Sequence, residues 1–561
     1  MVSRKSRTFI SFLGIGMLLA LLALVGRQVG SGSSSADGAR PLAPSGAAVG
    51  VAAPGSAETL PVVGGPALVG HDVQHDLSQP LRNIDPATVK GTRAAADSDH
   101  SALFRTNQAP VQDPVVQGWE RAGFGPLAMP APSVNFEGVN NIGGWYPPDT
   151  NGDVGPNHYV QIVNDHFQIW NKSGVSLYGP APDNAPWAGF GGVCETRNDG
   201  DPVVNYDPIA DRWVLSQFAV PGGSAGYHQC FAVSQTADPT GAWYRYDFLM
   251  SSSLFDDYPK VGVWPDAYYA TFNMFKGNRF AGPWAVAFNR AKMLTGAAAT
   301  FQYFQLGRTQ GTLLPVDIDG PTLPAAGAPG LFANYGTNAL NFWKFHVDWT
   351  TPANSTLTGP TTLATAAFNQ LCPSTASCVP QPGTSVGLDG LGDRLMYRLA
   401  YRNFGDHEAL LLNHSVDVGG GHAGIRWYEV RSTPPGGALS IYQQGTYAPD
   451  ATNRWMASLA MDKVGDIGVG YTVSSSSVYP SIRYTGRLAG DALGTLPQGE
   501  ATLIAGSGVQ TGTANRWGDY SMMAVDPSDD CTFWFTNEYV QTTGTKSWQT
   551  RVGAFKFPGC R

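Results

Sequence analysis

The sequence predicts an all-β fold: a seven-bladed β-propeller of four-stranded antiparallel blades, preceded by a disordered N-terminal segment. Three observations predict it. The composition, 14% charged and 11% aromatic with 68 Gly and 41 Pro in 561 residues, suits short strands joined by turns. One hairpin motif recurs along the chain. The last unit is one strand short, and a segment ahead of the first unit can supply it.

The motif is clearest in "DPIADRWVLSQF" (Asp207–Phe218), "DKVGDIGVGYT" (Asp462–Thr472) and "DPSDDCTFWFTNEY" (Asp526–Tyr539). Each has an Asp, a second Asp four residues later, and a strand of β-branched and aromatic residues. Each follows an apolar segment: "VVNY", "ASLAM" or "SMMAV". Two strands joined by a short turn are a β-hairpin. The leading Asp accepts hydrogen bonds from the amides of its turn. Weaker copies are "WPDAYYATFN", "AAGAPGLFANY", "RNFGDHEALLL" with Asp406, and "DVGPNHYVQIVN", where Asp153 and Asn157 take the paired positions. Seven turns result, near residues 153, 207, 264, 325, 402, 462 and 526. Further strands follow most of them, such as "CFAVSQT" then "WYRYDF", and stacking buries faces that no unit buries alone.

The final unit shows "GDYSMMAVD", "CTFWFTNEY" and "WQTRVGAFKF" before the chain stops. The segment "SVNFEGV" (Ser133–Val139) is the expected fourth strand. Six cysteines without a C-x-x-C pair read as three disulfides in an oxidising compartment. The expected pairs are Cys194–Cys230, Cys372–Cys378 and Cys531–Cys560, the last pinning the C-terminus. Arg4, Lys5 and Arg7 precede the apolar run Phe9–Val25, so residues 1–31 read as a signal peptide or N-terminal anchor. Residues 32–112, rich in Ala, Gly, Ser and Pro, read as a low-complexity linker, with His71 and His75 as solvated polar residues. Residues 113–561 are the propeller domain. The expected location is outside the cell or in its envelope, as a monomer, with no membrane contact beyond the anchor. A net charge of −8 argues against nucleic acid.

"GDPVVNYDPIADRWVLSQF", "DYPKVGVWPDAYYATFN" and "NRWGDYSMMAVDPSDDCTFWFTNEY" resemble a group of secreted bacterial β-propeller proteins of uncharacterised function. Sialidase-like and other glycan-active propellers are more distant comparisons, and the sialidase motif S-x-D-x-G-x-T-W is absent.

Candidate chemistry collects where inner strands begin, at the channel mouth. Asp201, Asp257, Asp319, Asp393 and Asp519 stand near such starts, with Asp149 near the equivalent place. Converging carboxylates can raise one another's pKa for acid–base work; alternatively each caps amides of its own strand. Trp145, Tyr227, Trp264, Trp517 and Arg516 are the candidate ligand-binding side chains of the rim, with core packing as the competing role for the tryptophans. Asp149, Asn151 and Asp153 alternate like calcium ligands. Val154 and Val160 stand where a helix–loop–helix hand needs Gly and an acid, so calcium would need a different geometry, completed by backbone carbonyls or another blade. Arg394, Arg398, Arg426, Arg454, Arg483 and Arg516 read either as a carboxylate-binding cluster or as partners of acids within blades. "GTSVG", "GGGHAG" and "HEALLLNH" match catalytic patterns but sit in the wrong structural contexts.

Two function classes follow. The first is a module whose mouth loops bind an extracellular glycan or surface polymer, with no paired acids at working distance. The second is a glycan-cleaving enzyme, a glycoside hydrolase or polysaccharide lyase, with two nearby carboxylates, one desolvated, beside an aromatic platform. With no catalytic motif in the chain, the binding module is the primary expectation.

Overall fold

A computed structural model of the chain describes residues 65–93, 110–117 and 128–561, apart from 223, 224, 374, 376 and 514. The signal or anchor segment 1–31 lies outside the described residues, as do residues 32–64.

Strands dominate, and most pair with their neighbours in sequence. Three sheets are separate four-stranded antiparallel meanders: residues 151–182, residues 453–504, and residues 522–555 with Val134–Glu137 added at the edge. A nine-stranded sheet is two more meanders, 200–251 and 255–305, with Leu68–Leu77 inserted between their last strands. A ten-stranded sheet joins meanders 314–364 and 396–447 through a parallel pair of their first strands, Leu314–Asp319 and Met396–Asn403, with Val116–Gln117 at one edge.

The first strands touch in chain order. Asn151–Val154 packs on Gly200–Asp207, which packs on Phe255–Val263; Leu314–Asp319, Met396–Asn403, Asn453–Met461 and Met522–Val525 follow, and the last packs on Asn151–Val154 again. The body is therefore a closed, propeller-like ring. Its closing meander uses the strand expected from the sequence: Val134–Glu137 pairs antiparallel with Trp548–Phe555.

Burial follows position in the ring. Asn151–Val154, Gly200–Asp207, Asn453–Met461 and Met522–Val525 are buried at every residue, because neighbours cover both faces. Outer strands such as Ser176–Pro182 and Thr356–Ala364 mix buried and exposed residues. Contact between meanders is close enough to demand glycine: a Cβ on Gly470 would stand 2.4 Å from the Phe535 ring.

The repeated turn aspartates do what the motif implies. Asp207 Oδ1 accepts from the Ile209 and Ala210 amides at 3.0 Å, and Asp462 Oδ1 from Val464 and Asp466 at 3.0 and 2.9 Å. A second set of side chains links neighbouring inner strands. Asn151 Oδ1 accepts the Val204 N–H at 2.8 Å, Asp153 Oδ2 that of Tyr206 at 2.7 Å, Asp317 Oδ1 that of Val263 at 2.9 Å, and Ser458 Oγ that of Met523 at 3.0 Å.

The linker reading of 32–112 is corrected where the chain is described. Leu68–Leu77 is a ten-residue strand paired on both sides, and the Val111 N–H donates to Asn369 Oδ1 at 2.8 Å. Hydrophobic periodicity misses such a strand because backbone bonds to two sheet edges hold it, not an apolar face. His75 Nδ1 lies 2.5 Å from Asp72 Oδ2 within it.

All three disulfides form: Cys194–Cys230, Cys372–Cys378 and Cys531–Cys560. The last encloses much of the closing meander. Replacing both Cys531 and Cys560 with Ser is expected to lower the unfolding free energy by roughly 3 kcal/mol, read by guanidinium titration at an unchanged far-UV spectrum. An unchanged midpoint would assign ring closure to strand pairing alone.

Candidate functional site

The mouth where inner strands begin is built on strained backbone. Asp149, Asp201, Tyr258, Met456 and Asp519 have φ of 52, 44, 55, 51 and 60°. A non-glycine residue in this left-handed region costs on the order of 1–3 kcal/mol, and such residues cluster at functional sites. Three of the five are acids, and they come together.

Asp149 is fully buried, and apart from the neighbouring carboxyl of Asp201 no hydrogen-bonding group reaches its carboxylate oxygens. Burial raises its pKa well above the usual carboxylate range, and the negative charges of Asp201 and Asp519 raise it further. Asp201, 4% exposed, accepts the Tyr258 N–H at 3.1 Å. Lys260 sits among them with no exposure. Its Nζ donates to Pro259 O at 2.8 Å and lies 3.4 and 3.7 Å from the ring centroids of Tyr258 and Tyr520. Burial lowers its pKa to about 7, while Asp201, Asp149 and Asp519 pull it upward. Two aromatic faces also favour the ammonium form.

Polar groups brace this centre. Tyr258 OH donates to Asp519 O at 2.8 Å and Tyr520 OH to Pro202 O at 3.0 Å. Arg516 holds Asp519 at 2.5 Å, and Arg394 lies 4.6 Å over the Tyr258 ring while binding Asp393 at 2.8 Å. Glu538 accepts the Gly518 N–H at 2.7 Å, and burial raises its pKa. At the outer edge, Asn164 Oδ1 accepts both the Asp201 N–H at 3.2 Å and Arg93 Nη1 at 3.1 Å. Arg93, from the N-terminal segment, also covers the half-buried Trp145 ring at 4.5 Å.

Of the five acids singled out from the sequence, Asp201 and Asp519 belong to this centre, and Asp149 joins them. Asp393 stands at its edge with Arg394. Asp257 does not enter it; Tyr258 takes the corresponding position. Asp319 is a correction. It ends its strand, at the opposite mouth, and pairs there with Arg398. That mouth holds a cavity of 160 Å³ between Asp153, Asp317, Asp319 and Arg398.

The calcium reading is also corrected. Asn151 and Asp153 spend side-chain oxygens on amides of the next strand, and Asp149 turns to the acidic centre instead. Among the described residues no group of three acids, histidines or cysteines is placed to hold a metal ion. Trp264 and Trp517 are corrected from rim to core: Trp264 is 2% exposed, edge-on to Tyr401 at 4.7 Å, and Trp517 is 0% exposed against Trp455. Tyr227 is half-buried and packs on Phe255. The six arginines read as a possible cluster pair with acids instead: Arg398 with Asp317, Arg426 with Asp113, Arg454 and Arg483 with Glu500, beside the Arg394 and Arg516 pairs.

Sequence reasoning missed Lys260, Tyr258, Tyr520 and Glu538. One signal was present. Aligning the repeat places "YPK" of meander 255–305 over "DPV" of 200–251. Lys260 then falls two residues after the kink, at the position occupied by Asn151 in the first meander.

No protein-family model matches the chain, and no curated protein matches it. Among solved structures, an α-L-arabinofuranosidase from Fusarium graminearum aligns over 77% of this chain and 99% of its own, at 9% identity and a TM-score of 0.34. A GH43 endo-arabinanase from Bacillus licheniformis aligns over 63% and 96%, at 7% identity and a TM-score of 0.27. A PL25 ulvan lyase aligns over 77% and 95%, at 9% identity and a TM-score of 0.28. At TM-scores this low, fold and function rest on the residues themselves.

The burial of Asp149 has a measurable cost. Because its folded pKa is raised, the stability it allows is complete below the ordinary value of 3.8 and is lost as pH climbs toward the raised value. Asp149→Asn removes that loss. Its melting temperature is expected to exceed that of wild type by more at pH 8 than at pH 5, in parallel thermal scans. An equal offset at both pH values would show that Asp149 ionises freely in the fold.

Proposed function

We propose that the seven meanders are the blades of a seven-bladed β-propeller, and that the protein is an extracellular glycan-cleaving enzyme acting at the mouth where its inner strands begin. One observation carries this reading: the buried carboxyls of Asp149 and Asp201 lie together beside Lys260, where burial and neighbouring negative charge raise the pKa of Asp149. Asp201 accepts the Tyr258 N–H at 3.1 Å and lies beside Lys260. Acid and base assignments follow when environments push two titrations apart. The binding-module reading expects no such pair. Three disulfides fit an oxidising, extracellular setting.

In this mechanism Asp149 gives its proton to the leaving oxygen as the glycosidic C–O bond breaks. Asp201 stays ionised against the positive charge developing on the sugar. The water that adds to the sugar returns a proton to Asp149, so the cycle closes. A glycan reaches the pair by displacing Arg93 from Trp145 and Asn164.

The test is product release. The full chain, with disulfides formed, is incubated with a panel of neutral and acidic polysaccharides, and new reducing ends are measured. Release is expected from one polymer class, reduced 10²–10⁴-fold by Asp149→Asn or Asp201→Asn, the usual scale for acid–base groups. The wild-type rate should fall as pH rises through the raised pKa of Asp149. Absence of release from every polymer would return the protein to the binding class, and full activity in both variants would overturn the roles given to Asp149 and Asp201.

A further inference from the structure

Next to the acidic centre lies a cavity of 200 Å³ that the cleavage chemistry does not use. The Asp393–Arg394 pair forms part of its wall, and Arg394 connects it to the centre through the Tyr258 ring. The other polar groups of the lining are amides and hydroxyls, including Asn334, Asn341, Thr312 and Thr337. Asn341 Nδ2 donates to Asn334 Oδ1 at 3.0 Å, and Asn341 Oδ1 accepts from Thr362 at 2.8 Å. An amide side chain has two N–H donors and two acceptor lone pairs, so Asn341 retains one of each.

The charge balance of this lining selects a ligand. Arg394 binds Asp393 through Nε at 2.8 Å and Nη2 at 3.2 Å, so the cation of the wall is already neutralised. A carboxylated sugar would meet no uncommitted cation among the lining residues and would lie near Asp393. A neutral sugar presents hydroxyls that both donate and accept, matching the amides and threonines. We infer that this pocket is a subsite for one uncharged, hydroxyl-rich sugar unit of the polymer. The inference rests on the cleavage reading for its place in the reaction, but it makes a binding claim of its own.

The test is calorimetric titration of the full-length Asp149→Asn and wild-type proteins with hexasaccharides of arabinose, xylose, glucose and mannose, and with hexagalacturonate. At least one neutral probe is expected to bind more tightly than hexagalacturonate. Asn341→Ala should weaken it about tenfold, and Thr337→Ala, at an exposed position that folding tolerates, about threefold. The inference is overturned if hexagalacturonate binds best, if no probe binds, or if both folded variants bind like their parent. Neutral-probe binding that depends on Asn341 or Thr337, in a wild-type protein that cleaves nothing, would support the pocket and sink the cleavage reading. Cleavage with unchanged KM in the pocket variants would do the reverse.

Discussion

The ring depends on how its innermost strands satisfy their amides. Seven fully or largely buried strands stand side by side in the ring, yet among the described residues only Leu314–Asp319 and Met396–Asn403 pair directly by backbone. A buried N–H left unmet costs about 1–3 kcal/mol. Side chains on one strand meet the amides of a neighbour: Asn151 for Val204, Asp153 for Tyr206, Asp317 for Val263. Polar residues buried at alternate positions are therefore mortar between meanders, which is why a calcium-like spacing appears in the first of them.

Asp149 departs from that rule. It is buried like the others, but its oxygens meet no backbone amide, its backbone is left-handed, and its charge is opposed by two further acids. A fold optimised for stability alone would place an amide or an apolar group there. Asp183 and Asp256 are also buried without hydrogen-bond partners, but at Asp149 that desolvation coincides with left-handed backbone and two acidic neighbours, the pattern expected of a functional site. Lys260 makes the arrangement tolerable: held between Tyr258 and Tyr520, it supplies positive charge without exposure to water.

The N-terminal segment adds a second kind of closure. Leu68–Leu77 covers the outer edges of two meanders, and Val134–Glu137 completes another. Between them Arg93 reaches the mouth, where it binds Asn164 and covers Trp145. Residues that precede the ring in sequence thus border both its rim and its site.

By itself the sequence determined the all-β class, the position of each hairpin turn, the closing strand Ser133–Val139 and the three disulfide pairs. All of these are local or repeat: an Asp at a turn, a run of β-branched residues, a missing fourth strand. It also singled out Asp201 and Asp519, because the repeat places them near strand starts. Which acids meet was decided only in three dimensions. Asp319 and Asp519 look alike in the chain, but one ends its inner strand and the other precedes one, so they face opposite mouths. Trp264 and Trp517 look like rim residues until neighbouring meanders bury them. Lys260 carries no motif at all; its amine becomes distinctive only when three carboxylates and two aromatic rings, from inner-strand starts far apart in sequence, are brought around it. Burial and charge proximity are properties of the closed ring, and no window of sequence contains them.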